Sequence, residues 1–344
     1  MKEFGSDFHF IDSFSSVHDC VTDIFQNRTL LASGRQCIVA LIRQNGWRRL
    51  WIPDYFCYEV IKTINKQTGI KVMTYPNNPI EEENVEKLPY EEGDVLLRIN
   101  YFGMSDFRSN KNIPIAVIED HSHDMLGHWA SNSDADWCIS SIRKILPLPE
   151  GGMIWSPKGH SISNVKQLLG TNEKIATIRW EAMKKKTAYL NGENVNKNEF
   201  REKYLETEKW FDTAEPALID KKSREYITKQ FDLNRWFDAK RRNWNVLKDI
   251  VRERNCQVMT AEHKSCTMFS FVLLMANNEQ RETVRKRLIE NSIYPAVLWT
   301  IPDSASKVSR DFSARMLSIH CDGRYTDDDI RQMADIINKS IEEL

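Results

Sequence analysis

The chain has 344 residues, and 48 Lys plus Arg against 49 Asp plus Glu leave a net charge of −1, which excludes a global electrostatic pull toward nucleic acid or an anionic membrane. With 41% hydrophobic residues, including ten Trp, fifteen Phe and ten Tyr, the chain is not disordered and has material for about two domains. No apolar run approaches the ~20 residues of a membrane span, residues 1–14 lack the basic start and apolar core of a signal peptide, and the seven scattered cysteines contain no C-x-x-C pair. A disulfide framework and a structural zinc site are therefore not expected, and a cytoplasmic location is.

Residues 1–30 read as an N-terminal helical segment, because apolar residues between Phe8 and Leu31 recur near the helical period, up to a turn at Ser33-Gly34. The apolar run 37–42 fits either a helix capped by Ser33 or a buried strand. Strands are then expected at 49–52, 70–75, 94–99, 115–119, 137–141 and 152–156, with a helix at 58–66. Strands alternating with helical stretches predict an α/β class protein, a three-layer α/β/α large domain at 31–240 built on a mainly parallel sheet. Residues 165–218 are polar and helical, and the Met183-Lys184-Lys185-Lys186 tract reads as a solvated helix face. A long helix at 232–254 follows. Beyond it, a strand at 267–275, a helix at 279–291, a strand at 316–319 and a helix at 327–343 predict a smaller C-terminal α+β domain at 241–344.

Neither G-x-G-x-x-G, a Walker sequence nor H-E-x-x-H is present. The segment Glu119-Asp120-His121-Ser122-His123-Asp124 admits three readings. Asp120, His121, His123 and Asp124 could ligate zinc or iron. They could form a polar loop. Or Asp120 could be a carboxylate at the carboxyl end of a parallel strand, where open α/β sheets bind ligands. After the next expected strand comes Ser140-Ser141-Ile142-Arg143-Lys144, leading to Gly151-Gly152. A lysine there can form a Schiff base if burial or a cation such as Arg143 lowers its pKa. An Asp after one strand and a Lys after the next is the pairing that a pyridoxal 5′-phosphate (PLP) enzyme needs: an amine for the aldehyde and a carboxylate for the pyridinium nitrogen.

On these residues the sequence resembles the DegT/StrS-type PLP-dependent sugar aminotransferases, of fold-type I in the aspartate aminotransferase superfamily, as a divergent branch. The resemblance runs over residues 30–344 as an ordered series of short motifs. Ser33-Gly34-Arg35-Gln36 is similar to the turn that binds the cofactor phosphate, a role suited to a helix N-terminus. Pro53-Asp54-Tyr55-Phe56-Cys57 resembles the stretch carrying the residue over the cofactor ring, here Phe56 or Cys57. Asn100-Tyr101-Phe102-Gly103 resembles a His-Tyr-Phe-Gly segment, and residues 118–123 a Glu-Asp-x-x-(His/Gln) signature. The resemblance implies that Asp120 meets the pyridine nitrogen, His123 the phenolic oxygen, Ser140 or Ser141 the phosphate, and that Lys144 is the catalytic Schiff-base lysine. Tyr101, Trp299 and Arg324 are substrate-binding candidates; for Arg324 a plain salt bridge is the alternative.

The compact Ser-Ser-Ile-Arg-Lys run and the lack of an evident Asn-Tyr-Arg motif depart from the family pattern. The implied activity moves an amino group from an amino acid, glutamate for instance, to a keto acceptor such as a nucleotide-linked keto-sugar, in a homodimer. The alternatives are another PLP reaction (dehydration or elimination), a non-catalytic PLP binder, or a metal-binding protein using the Asp120/His121/His123 cluster.

Overall fold

The computed structural model describes residues 2–12, 24, 28–162 and 170–344. Its strands are β1 (Phe4–Gly5), β2 (Thr29–Leu31), β3 (Arg49–Pro53), β4 (Lys71–Tyr75), β5 (Asp94–Ile99), β6 (Ala116–Asp120), β7 (Trp137–Ser140), β8 (Gly152–Trp155), β9 (Cys256–Val258), β10 (Phe271–Met275), β11 (Ile293–Tyr294) and β12 (Met316–Ile319). The α-helices are α1 (Gly34–Asn45), α2 (Tyr58–Thr68), α3 (His128–Asn132), α4 (Glu173–Leu190), α5 (Lys197–Thr213), α6 (Lys221–Glu225), α7 (Leu233–Ile250), α8 (Asn278–Glu290), α9 (Lys307–Arg315) and α10 (Asp327–Glu342). Seven strands form the main sheet in the order β2-β8-β7-β6-β5-β3-β4. β4, β3, β5, β6 and β7 are parallel; β8 and β2 join by antiparallel pairing. All six residues of β5 are buried, the pattern of a parallel strand covered on both faces.

The ambiguous run 37–42 is helical. Ser33 caps α1 by accepting the Gln36 amide on its Oγ, and Gly46, at φ 63°, ends the helix by donating its N–H to the Ile42 carbonyl. The N-terminal helix expected from the apolar spacing is not formed in the described part. Residues 8–12 are non-helical, and Thr29–Leu31 pairs with β8. The backbone of 8–12 is satisfied by tertiary partners instead: the Phe8 carbonyl accepts the Tyr204 hydroxyl (2.6 Å), Ile11 that of Tyr226 (2.7 Å), and the Phe10 amide donates to Met183 (3.1 Å). Residues 13–23 and 25–27 of that expected helix, and 163–169 of the expected polar helical stretch, lie outside the described residues.

The lysine tract at 183–186 is a solvated face only in part, since Lys184 is exposed and Lys185 half-buried. Met183 and Lys186 are buried, and Lys186 Nζ donates to Ser6 Oγ (2.8 Å) and the Asp7 carbonyl (2.5 Å). The N-terminal segment covers that side of α4, a tertiary contact that local charge patterning does not encode. The strand expected over 267–275 is shorter, because the Thr267 amide is spent on Asp124 Oδ2 (2.8 Å) and the Phe269 amide on the Phe102 carbonyl (2.7 Å).

β9, β10 and β12 form an antiparallel sheet, and β1 pairs with β11. Two hydrophobic clusters result. One spans the main sheet and its helices, and the other lies between the three-stranded sheet and α8 and α10. Helix α7 belongs to both: Leu233, Trp236 and Phe237 pack in the first, Leu247 in the second. No helix among the described residues is long and apolar enough to cross a membrane.

Candidate active site

The loops at the carboxyl ends of β3, β6 and β7 meet the N-terminus of α1 around a cavity of about 800 Å³. A parallel sheet aims these loops the same way, so residues distant in sequence converge. Asp120, Ser122 and His123 enter from β6, Ser141, Arg143 and Lys144 from β7, Gly34 and Arg35 from α1, and Phe56 and Cys57 from β3. Trp299, after β11, supplies a wall.

Ser122 joins the two central loops. Its amide donates to Asp120 Oδ1 (2.8 Å), and its Oγ accepts the Ser141 amide (2.7 Å). Helix α1 starts against the same turn: a Cβ at Gly34 would lie 2.8 Å from Ser141 Cβ, so glycine permits the approach. Gly152 has a parallel role, since a Cβ there would lie 2.3 Å from the Ser33 carbonyl oxygen. The first-turn amides of α1 have no intrahelical acceptor apart from the cap, and with the helix dipole they favour an anion.

Lys144 ends a 3₁₀ turn, Ile142–Lys144, and its Nζ lies 5.7 Å from the Trp299 ring centroid. Burial lowers its pKa; Cys57 and Asp120 oppose that shift, whereas Arg143 and Arg35 reinforce it. The turn is held from below by Trp236, fully buried, whose Nε1 donates to the Ile145 carbonyl (2.9 Å). His123 is stacked between aromatic rings, with Phe269 at 4.3 Å and Trp299 at 5.9 Å between centroids. Its Nδ1 accepts the Phe102 amide (2.9 Å), which leaves the proton on Nε2. Burial, then Lys144 and Lys240, push its pKa well below the usual histidine range, so the ring is a neutral donor.

Sequence reasoning missed an arginine cluster beside this site. Arg143 (2.7 Å), Arg35 (3.2 Å) and Arg179 (3.6 Å) converge on Glu208. Burial alone would raise the Glu208 pKa, but the three guanidiniums hold it at about 2. No local signal finds this set, because its members lie on four separate elements. The outer cavity adds Lys186, Lys197, Arg201 and Tyr294.

Four candidate residues do not line the cavity. Gln36 is buried and accepts the Ala217 amide (3.2 Å). Ser140 is buried at the end of β7, behind the turn that carries Ser141. Tyr101 is buried with its hydroxyl donated to the Tyr55 carbonyl (2.8 Å). Arg324 holds both carboxylate oxygens of Asp322 (2.8 and 2.9 Å), the plain salt bridge rather than a substrate clamp. The metal reading of the His-Asp segment is also not supported, because Asp120, His121, His123 and Asp124 do not converge. His121 points to Glu119 (Nε2 to Oε2, 3.0 Å), His123 lines the cavity, and Asp124 binds the Thr267 amide.

No protein-family model matches the sequence, and no curated protein does. Solved structures do match. Helicobacter pylori PseC, an aminotransferase involved in the biosynthesis of pseudoaminic acid, has a TM-score of 0.65 at 11% identity, with 100% of each chain covered. The fold is that of an aminotransferase. A sugar aminotransferase from Streptococcus pneumoniae in its PLP form gives 0.63 at 8% identity, over 96% of this chain and 93% of that one. DesI, solved in the presence of its TDP-sugar product, gives 0.59 at 13%, over 96% and 87%.

Proposed function

We propose that the chain is a PLP-dependent aminotransferase acting on a nucleotide-linked keto-sugar, with an amino acid such as glutamate as donor. The observation that carries this reading is the convergence of Lys144, Asp120 and the Gly34–Ser141 turn on one cavity. The donor set fits a phosphorylated pyridine aldehyde. Gly34 lets Ser141 pack against the start of α1, where amides and dipole favour a phosphate, with Arg35 beside it. Asp120 offers a carboxylate to a protonated ring nitrogen. Phe56, Cys57 and His123 offer the flanking surfaces, and His123 Nε2 a hydrogen bond to a ring oxygen. When bound, PLP supplies an aldehyde that exchanges amines and a ring that withdraws electrons.

Lys144 does two things in this reading. Its Nζ would hold the cofactor at its aldehyde carbon, and as a free amine the same Nζ would take a proton from the reacting carbon and return one, as base and acid. Its lowered pKa raises the fraction of free amine at neutral pH. The Trp299 ring lies over that amine, 5.7 Å from its centroid, and Trp236 holds the turn that carries it. In the outer cavity Arg201, beside Lys197 in its pair with Glu3, offers a cation that suits the phosphates of a nucleotide-linked sugar. The TDP-sugar product of DesI supports that acceptor class.

The reading includes a homodimer in the cytoplasm, testable by sedimentation, and a division of the chain at 31–240 and 241–344, supported by the two cores that share α7. The test of function supplies the PLP-loaded protein with glutamate and a panel of nucleotide-linked keto-sugars. Formation of 2-oxoglutarate together with an amino-sugar product is expected. Failure to form a keto acid from any amino donor would leave a different PLP reaction or a non-catalytic binder.

A further inference from the structure

We propose that Asp106, His128 and His263 form a binding site for a divalent transition metal, outside the cavity. One ligand atom from each lies within 4.8 Å of the others. The three come from separate segments: the stretch after the Tyr101–Gly103 turn, the first residue of α3, and the loop between β9 and β10. The two imidazoles stack face to face, with centroids 4.2 Å apart and planes 18° from parallel. All three residues are half-buried, so each side chain is partly ordered yet open to an ion from solvent.

Two imidazoles and one carboxylate suit zinc and the later first-row divalent metals, whereas calcium and magnesium prefer all-oxygen sites. Supporting groups are in place. Asp106 Oδ1 pairs with His128 Nδ1 and accepts the Phe107 amide (2.7 Å). Ser265 closes on His263 Nδ1 through its Oγ (2.6 Å) and donates its amide to the same atom (3.1 Å), which leaves the proton on Nε2, so rotation of the half-exposed ring off Ser265 frees the Nδ1 lone pair for a metal. Tetrahedral zinc with bonds of about 2.1 Å separates its donors by about 3.4 Å, so rotation of the half-exposed imidazoles closes the site. Glu262, which accepts the Asp106 amide on Oε2 (2.9 Å), offers a further carboxylate, and water completes the shell. The second group of this kind, Glu119, His121 and Cys138, is sealed from solvent.

A metal here would tie the 262–266 loop to the segment around Asp106. The residues that follow hold the cavity wall: Thr267 binds Asp124, and Phe269 stacks on His123. The ion would therefore stiffen that wall and raise stability by mass action.

The test is calorimetric titration of the chelator-treated full chain with Zn²⁺, beside a thermal melt. Wild type is expected to bind one equivalent and melt higher. His263→Ala, on an irregular loop, and His128→Ala are each expected to weaken binding about ten- to hundredfold. His160→Ala, a surface histidine elsewhere, should bind as wild type does. A Co²⁺ spectrum should lack a sulfur charge-transfer band. No uptake of zinc, uptake that neither His263→Ala nor His128→Ala changes, or a sulfur band pointing to Cys138 would each overturn the proposal.

Discussion

Strand β6 supplies two neighbouring regions that differ in everything but origin. Asp120, followed by Ser122 and His123, faces the cavity, with its carboxylate held by one amide and otherwise open. Glu119 and His121 face the other way and are sealed: Glu119 Oε1 accepts Asn110 Nδ2 (2.7 Å), Oε2 meets His121 (3.0 Å), and Cys138 lies beneath. Burial pushes the Glu119 pKa up, but His121 and the other donors more than reverse that and hold it below the usual range. The period of two puts Glu119 and Asp120 on opposite faces of β6, and the loop that follows carries Ser122 and His123 to the side of Asp120 and returns His121 to Glu119, so one contiguous polar motif has a reactive side and a structural side. Charged groups left with spare valence serve chemistry; those fully paired serve the fold.

The comparison is sharpest under substitution. On the cavity side, Lys144→Ala should abolish transamination, a loss of at least about 10³-fold, while leaving the chemical denaturation midpoint near that of wild type. On the sealed side, Glu119→Ala should do the reverse. It leaves His121 Nε2 unpaired in the interior and takes one of two acceptors from Asn110 Nδ2, which keeps Asp134, and should cost about 2 to 3 kcal/mol in urea denaturation, with kcat of the remaining folded enzyme little changed. A Glu119→Ala protein of full stability but no activity would break the distinction.

A second contrast sets two carboxylates apart by pH. Asp322 is held at about 2, because Arg324, with His320 adding to it, overrides the upward push of burial. Its folded pKa is depressed, so its stabilisation is full above about pH 4 and is lost as pH falls through about 2, about 2 kcal/mol in all. Asp322→Asn should flatten that acid limb. Glu150 is the opposite: burial pushes it up to about 8, and it accepts the Asp220 amide (2.7 Å) and the Asn172 side chain. Its folded pKa is raised from the ordinary 4.5, so its stabilisation is full below about pH 4.5 and is lost progressively as pH rises to about 8. Glu150→Gln should be nearly neutral near pH 4 and gain on wild type progressively up to about pH 8, by about 1 kcal/mol or more, with no further gain above it, read from melts across pH.

Much of the main sheet was legible, since 94–99 and 137–140 are apolar runs between turn signals and a parallel core demands such runs. The placement of Asp120 and Lys144 on one cavity also follows from their positions after adjacent parallel strands. What was not legible is tertiary. Thr29–Leu31 continues an apolar pattern that fits a helix but is captured by β8. Lys186 belongs to a polar tract yet is covered by residues 6 and 7. Glu208 draws arginines from residues 35, 143 and 179, and nothing within a window of sequence reports that meeting. Arg324 looked free to grip a substrate until Asp322, two residues earlier, was seen to take both its arms.

The most direct test of the central claim is the absorbance spectrum of the purified chain with added PLP, for wild type and Lys144→Ala. A visible cofactor band in wild type that is absent in the variant is the predicted result, and it would tie the cofactor to that Nζ. A band that persists in Lys144→Ala, or no band in either protein, would contradict the assignment.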